Sequence, residues 1–183
     1  HSLIPIPDQN CLFGCEQNKK ILKAVLSFMN ENRISSYNEE THTGLVRHVL
    51  IRKGFSSGQL LVCLVINGKK LPHQERLVEM LAALGADSIS LSINQEKTNV
   101  IMGTEIVNLY GPGYIEDDIG GIRFRISPLS FFQVNPKQTE RLYGTALEFA
   151  GLTGGETVWD LYCGIGTISL FLAQEARKVY GVE

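Results

Sequence analysis

Apolar side chains recur at Ile21, Leu22, Val25, Phe28 and Met29, the three-and-four spacing of an amphipathic helix, and predict one over residues 18–32. The period then changes. Leu45 to Arg52 is rich in β-branched residues, a polar turn flanked by Gly54 and Gly58 follows, and Leu60 to Ile66 is continuously apolar, which together predict a hairpin. Asn67-Gly68 ends its second strand. Leu77, Val78, Leu81 and Leu84, closed by Gly85, predict a second helix over 72–84. Ile89, Leu91 and Ile93 alternate with serines and an asparagine, the pattern of a half-buried strand with one wet face. Short strands are expected at 105–110 and 121–126, around a turn-rich stretch over 111–120.

Beyond residue 126 the grammar is different. Asn135-Pro136 is a helix start, asparagine as N-cap and proline at the first helical position, and Leu142, Ala146 and Phe149 continue one face to Gly151. A strand at 157–162, a glycine turn, a helix at 167–174 and a strand at 178–182 then open a doubly wound sheet. The fold class is therefore an α+β central domain over 1–125, followed over 126–183 by the start of an α/β, Rossmann-like sheet. The chain begins with His1 and stops inside the strand pattern Tyr180-Gly181-Val182-Glu183, so a piece of a longer protein is expected.

Composition narrows the functional classes. With 183 residues, 44% hydrophobic and 20% charged, the chain can bury a core and is not a disordered tail. Its apolar runs fall well short of the roughly 20 residues that span a bilayer, so no membrane association is expected. Cys11, Cys15, Cys63 and Cys163, without a signal-peptide pattern, suggest a reducing, cytoplasmic setting with free or metal-bound thiols. The net charge of −2 removes the footprint of a strong polycationic nucleic-acid binder. Local patches must carry any such role. Arg47, His48, Arg52 and Lys53 on the first hairpin, and Arg123 and Arg125 on one face of a later strand, are the candidate RNA-contacting residues; a solvated face is the alternative.

The densest chemistry is Asp160-Leu161-Tyr162-Cys163-Gly164-Ile165-Gly166-Thr167, where a strand runs into a turn whose glycines let backbone lie against a cofactor. Glu183 follows at the end of the next strand, where a carboxylate can accept from both ribose hydroxyls. A dinucleotide fingerprint would place a third glycine at position 169, which here is Ser169. Asp160 would repel a pyrophosphate and suits the ammonium group of S-adenosylmethionine. A dinucleotide-dependent oxidoreductase is the competing reading.

The D-x-x-x-G-x-G pattern resembles the first motif of S-adenosylmethionine-dependent methyltransferases. With Ser130-Phe131-Phe132-Gln133-Val134-Asn135, Gln138-Thr139-Glu140 and Gly44-Leu45-Val46-Arg47-His48, the chain resembles the RNA uracil-5-methyltransferases over nearly its whole length. That resemblance implies transfer of a methyl group from S-adenosylmethionine to C5 of a uridine, with Gln133, Tyr162 and Glu183 as cofactor contacts alongside Asp160, Gly164, Gly166 and Thr167. Gln133 could instead satisfy backbone groups at the domain junction, and Tyr162 could be core. Thr167 stands where some members use asparagine. The family's attacking cysteine and its base belong to a later part of the chain, so no catalytic residue is assigned here, and Cys163 reads as packing in the glycine loop. Some ribosomal-RNA members also hold a 4Fe-4S cluster. Cys11, in Asp8-Gln9-Asn10-Cys11-Leu12, resembles its fourth ligand, the others would precede His1, and the cluster would be incomplete here. The implied substrate is 23S ribosomal RNA, with transfer RNA as the alternative, and the implied state a monomer. A non-catalytic RNA-binding module keeping the fold is a further alternative.

Overall fold

The computed structural model describes residues 14–183. Its elements run α1 (Gln17–Glu31), β1 (Val46–Lys53), β2 (Leu60–Ile66), α2 (Gln74–Ala83), β3 (Ser88–Ile93), β4 (Glu105–Tyr110), β5 (Ile115–Ile119), β6 (Ile122–Ile126), α3 (Pro136–Ala150), β7 (Thr157–Asp160), α4 (Thr167–Leu172) and β8 (Lys178–Gly181). Two compact units result. The first holds the described residues up to Asp117 with 125–131, the second 118–124 with 132–183. The division runs through the β5–β6 ribbon, and the boundary expected after residue 125 falls inside β6.

In the first unit the sheet order is β1-β2-β3-β4, with β2 and β3 parallel and the outer pairs antiparallel. A parallel pair needs a crossover, and α2 supplies it between β2 and β3. Leu60, Val62, Leu64 and Ile66 on β2, with Ile89 and Leu91 on β3, pack against Ile21, Val25 and Phe28 of α1 and Leu77 and Leu81 of α2. All seven β2 residues are buried, which is why that segment reads as a continuous apolar run rather than an alternation. The hairpin register places Lys53 opposite Leu60 and Ile51 opposite Val62.

Two expectations change here. The serine face of β3 is not wet: Ser88, Ser90 and Ser92 are all fully buried. In register they sit beside Leu61, Cys63 and Val65, and Ser92 Oγ accepts the N–H of Gly103 at 2.9 Å. A small hydroxyl fits the tight space of an internal strand, and at Ser92 it also takes a main-chain donor, so alternation between apolar and small polar residues does not mean exposure. The stretch expected to be turns also contains a strand, β5, hidden by its acidic sequence Ile-Glu-Asp-Asp-Ile. Asp117 occupies its buried side between Ile115 and Ile119 because its carboxylate accepts three backbone N–H groups, from Phe55 at 2.8 Å, Ser56 at 2.9 Å and Ser57 at 3.0 Å. These donors belong to the β1–β2 turn.

In the second unit, Asn135 caps α3 by accepting from Gln138 N–H, Pro136 opens it, and Gly151 closes it in the left-handed region. Tyr143 is its main buried side chain, edge-on to Phe171 of α4 with centroids 4.9 Å apart. Leu142 and Phe149, on the apolar face read from the spacing, are exposed. β7 and β8 pair in parallel, Thr157 to Lys178 through Asp160 to Gly181, with α4 as the crossover. Ahead of β7, Glu156 accepts from Thr153 Oγ1, from Thr153 N–H at 2.9 Å and from Gly154 N–H at 3.1 Å. These bonds, the Thr153 hydroxyl foremost, lower its pKa from 4.5 to about 2.

Replacing Asp117 with alanine removes the shared acceptor of three turn amides, and the expected loss of unfolding free energy is about 3 kcal/mol. Urea denaturation followed by circular dichroism measures it, and a loss below about 1 kcal/mol would mean that the turn finds other acceptors. For Glu156 the folded pKa is depressed, so its contribution is present above pH 4.5 and is lost as the pH falls through about 2. Carbon-detected titration should give Glu156 a midpoint near 2, and Glu156→Gln should flatten stability against pH in that window; an ordinary midpoint refutes the turn geometry.

Candidate functional site

The second unit contains one tightly closed loop at the carboxyl end of β7. Its closure is a chain of main-chain bonds: Val182 N–H donates to Asp160 O at 2.8 Å, Cys163 N–H to Val182 O at 3.1 Å, and Gly166 N–H to Cys163 O at 2.8 Å. Gly164 and Gly166 take φ of 55° and 83°, the left-handed region that disfavours side chains. Space is open where a Cβ would stand on either glycine, so one side of the loop is bare backbone facing a free volume.

Two carboxylates flank it. Glu183, two residues past the end of β8 at Gly181, reaches back and accepts Gly164 N–H through Oε2 at 2.8 Å. Asp160 Oδ2 accepts from Ser169 Oγ at 2.6 Å. Ser169 was a residue the sequence marked only as a missing glycine; its signal was the hydroxyl itself, one turn into the helix that follows an acidic strand end. Gly181 meets the loop from below: a Cβ there would stand 2.9 Å from Cys163 Sγ and 3.6 Å from Ser169 Oγ. The Cys163 thiol is thus wedged between loop and strand, with Gly164 O 3.6 Å from its sulfur.

Tyr162 projects into solvent, 93% exposed, and is not a core residue. Thr167 opens α4 behind Gly166. Gln133 is half-buried on the extended segment before α3, in the same unit as the loop. The donor set fits an adenosine cofactor bearing an amino-acid tail: bare glycine backbone for close approach, a carboxylate at the loop for ribose hydroxyls, and a second for an ammonium group.

The basic residues separate into two kinds. Arg47 does not face solvent: its side chain is 1% exposed and its guanidinium donates to the carbonyls of Asn94 at 3.1 Å, Glu96 at 2.7 Å and Thr98 at 3.4 Å, with the Tyr37 ring 4.3 Å away. The reason is the irregular register between Val46 and His48, which turns residue 47 out of the ladder and onto the 94–98 loop. Arg52 likewise donates to Ser130 O at 2.7 Å and Pro128 O at 3.3 Å. Burial and, after it, the neighbouring Arg47 charge lower the pKa of His48. Arg47 and Arg52 are thus internal braces on loop carbonyls rather than the free surface cations expected of them. Arg123 and Arg125 are 68% and 70% exposed, pairing with Asp118 at 3.5 Å and Glu116 at 3.0 Å. Lys53 is exposed and reaches Gln17 Oε1.

Cys11 lies outside the described residues. Of the others, Cys15 bonds Asn18, Cys63 is buried in β2, where burial raises its pKa, and Cys163 sits in the loop. Among the described residues no group of three or more His, Cys, Asp or Glu could hold a metal ion. No helix among them is long and apolar enough to cross a membrane.

No protein-family model matches the chain. Along its full length it is 47% identical to an uncharacterized RNA methyltransferase from Clostridium tetani and 48% identical to one from Halalkalibacterium halodurans, covering 40% of each relative. The chain therefore spans about two fifths of the length of the curated relatives it matches. Among solved structures, the tRNA (uracil-54, C5)-methyltransferase of Pyrococcus abyssi in complex with S-adenosyl-L-homocysteine is similar over 98% of this chain and 43% of its own, with a TM-score of 0.82 and 28% identity. These likenesses support an RNA methyltransferase family and a methyltransferase fold of mixed α/β type.

The Gly181–Cys163 contact gives a direct check on the loop. Gly181→Ala is expected to cost about 1–3 kcal/mol by overpacking, and Cys163→Ala in the same chain to restore most of it. Thermal melts of the single and double variants measure this, and strictly additive losses would refute the contact.

Proposed function

We propose that the chain is the central and cofactor-loop portion of an S-adenosylmethionine-dependent RNA methyltransferase that methylates C5 of a uridine in 23S ribosomal RNA. The observation that carries this reading is the acid at the second strand end, Glu183, folded onto Gly164 of an Asp160-x-x-x-Gly-x-Gly loop, in a chain similar along its length to RNA methyltransferases. When bound, S-adenosylmethionine supplies an electrophilic methyl group on its sulfonium. The chain's own residues bind and orient it: Glu183 takes the ribose hydroxyls, Asp160 the ammonium, Gly164 and Gly166 give backbone approach, and Gln133, Tyr162 and Thr167 complete the contacts. Arg123 and Arg125 offer exposed cations on one strand for RNA phosphates.

Ribosomal RNA is supported by the Asp8 to Leu12 context of Cys11. A transfer-RNA substrate is the second reading, supported by the solved Pyrococcus abyssi enzyme, whose substrate is tRNA. Either way the enzyme is taken as a cytoplasmic monomer, with the attacking cysteine outside these residues.

Incubating the full-length protein with labelled S-adenosylmethionine and separate 23S ribosomal and transfer RNA transcripts, then digesting to nucleosides, should yield 5-methyluridine from the ribosomal transcript. Label only in transfer RNA would move the substrate to the second reading, and no label in either would refute the activity. Glu183→Ala should weaken cofactor binding by about 2–4 kcal/mol in calorimetry through loss of two charge-assisted hydrogen bonds. An unchanged affinity would take Glu183 out of the site.

A further inference from the structure

We infer that Ser169 is a positioning residue that sets the Asp160 carboxylate for the ammonium group of an amino-acid-bearing nucleoside, and so helps select such a cofactor over a dinucleotide. The inference rests on the proposed cofactor reading and deepens it. Asp160 is fixed twice: its main-chain carbonyl accepts from Val182 N–H at 2.8 Å, and its Oδ2 accepts from Ser169 Oγ at 2.6 Å. The second bond is short and charge-assisted, the kind that holds a carboxylate in one orientation. With Oδ2 engaged by the helix, the remaining acceptor capacity of the carboxylate, Oδ1 above all, is left for a cationic ligand. A carboxylate already held in its binding rotamer loses little side-chain freedom when the ligand arrives.

The same position explains why the third glycine of a dinucleotide fingerprint is unnecessary. In that fingerprint a glycine on the helix lets helix and strand approach closely. Here the small residue is on the strand: Gly181 on β8 lies under Ser169, and a Cβ there would come within 3.6 Å of its hydroxyl. Moving the glycine from helix to strand keeps the close approach and frees position 169 for a donor. That donor fixes a negative charge at the loop, which attracts an ammonium and repels a pyrophosphate.

The test compares two ligands in the full-length protein by calorimetry. S-adenosylhomocysteine carries the amino-acid tail; 5′-methylthioadenosine keeps the adenosine and sulfur without it. Ser169→Ala should lower affinity for S-adenosylhomocysteine about tenfold and leave 5′-methylthioadenosine unchanged. Ser169→Thr, which keeps the hydroxyl, should retain the wild-type affinity ratio. In an Asp160→Asn background, Ser169→Ala should add little. If Ser169→Ala fails to fold, Ser169→Cys carries the same expectation, since it keeps the volume with a much weaker donor. Equal losses for both ligands would mean a merely structural role and overturn the inference, as would no loss for either. Wild-type protein that binds neither ligand would overturn the cofactor reading itself, whereas wild-type binding with an unaffected variant overturns only the role of Ser169.

Discussion

Turns carry backbone N–H groups that need acceptors, and in this protein carboxylates take several of them. Asp117 accepts three from the turn between β1 and β2, Glu156 two from the turn before β7, Asp87 one from the first residue of β2, and Glu183 one from Gly164. An ionised acceptor takes several donors at once, part-buried at Asp117 and exposed at Glu156 and Glu183, so each carboxylate ties down its turn. The glycine loop is one more instance of the same device. Its difference is that Gly164 and Gly166 keep the loop's other side bare, which turns a structural closure into a surface a ligand can approach.

The cations mirror this arrangement. Loop carbonyls with no ladder partner gather around Arg47, at Asn94, Glu96 and Thr98, and around Arg52, at Pro128 and Ser130. A planar guanidinium with five donors suits a cluster of carbonyls better than an ammonium would. Such arginines look in a sequence like a basic strip for nucleic acid. Here they brace the 94–98 loop and the Ser127–Ser130 turn, whereas Arg123 and Arg125 on β6 stay exposed.

Most elements were legible from periodicity, because their burial is one-sided or complete. The α1 stripe, the seven-residue β2 run and the Asn135-Pro136 start of α3 each have one strong local cause. β5 was not legible, since an acidic alternation reads as solvent-facing turn until three amides from a turn some sixty residues earlier in the chain are seen to converge on Asp117. The β3 serines misled for a related reason: a hydroxyl is polar by type but small enough to be packed on an internal strand.

By itself the sequence determined the parts whose causes are local: helix and strand periods, the glycine turn after β7, and the acids that bracket it at positions 160 and 183. The tertiary structure alone decided what depends on which side chains meet. It put Ser169 against Asp160, Gly181 beneath Cys163, and Arg47 and Arg52 inside rather than outside. A hydrogen bond or an ion pair is a distance between two groups, and the chain order of those groups does not contain it.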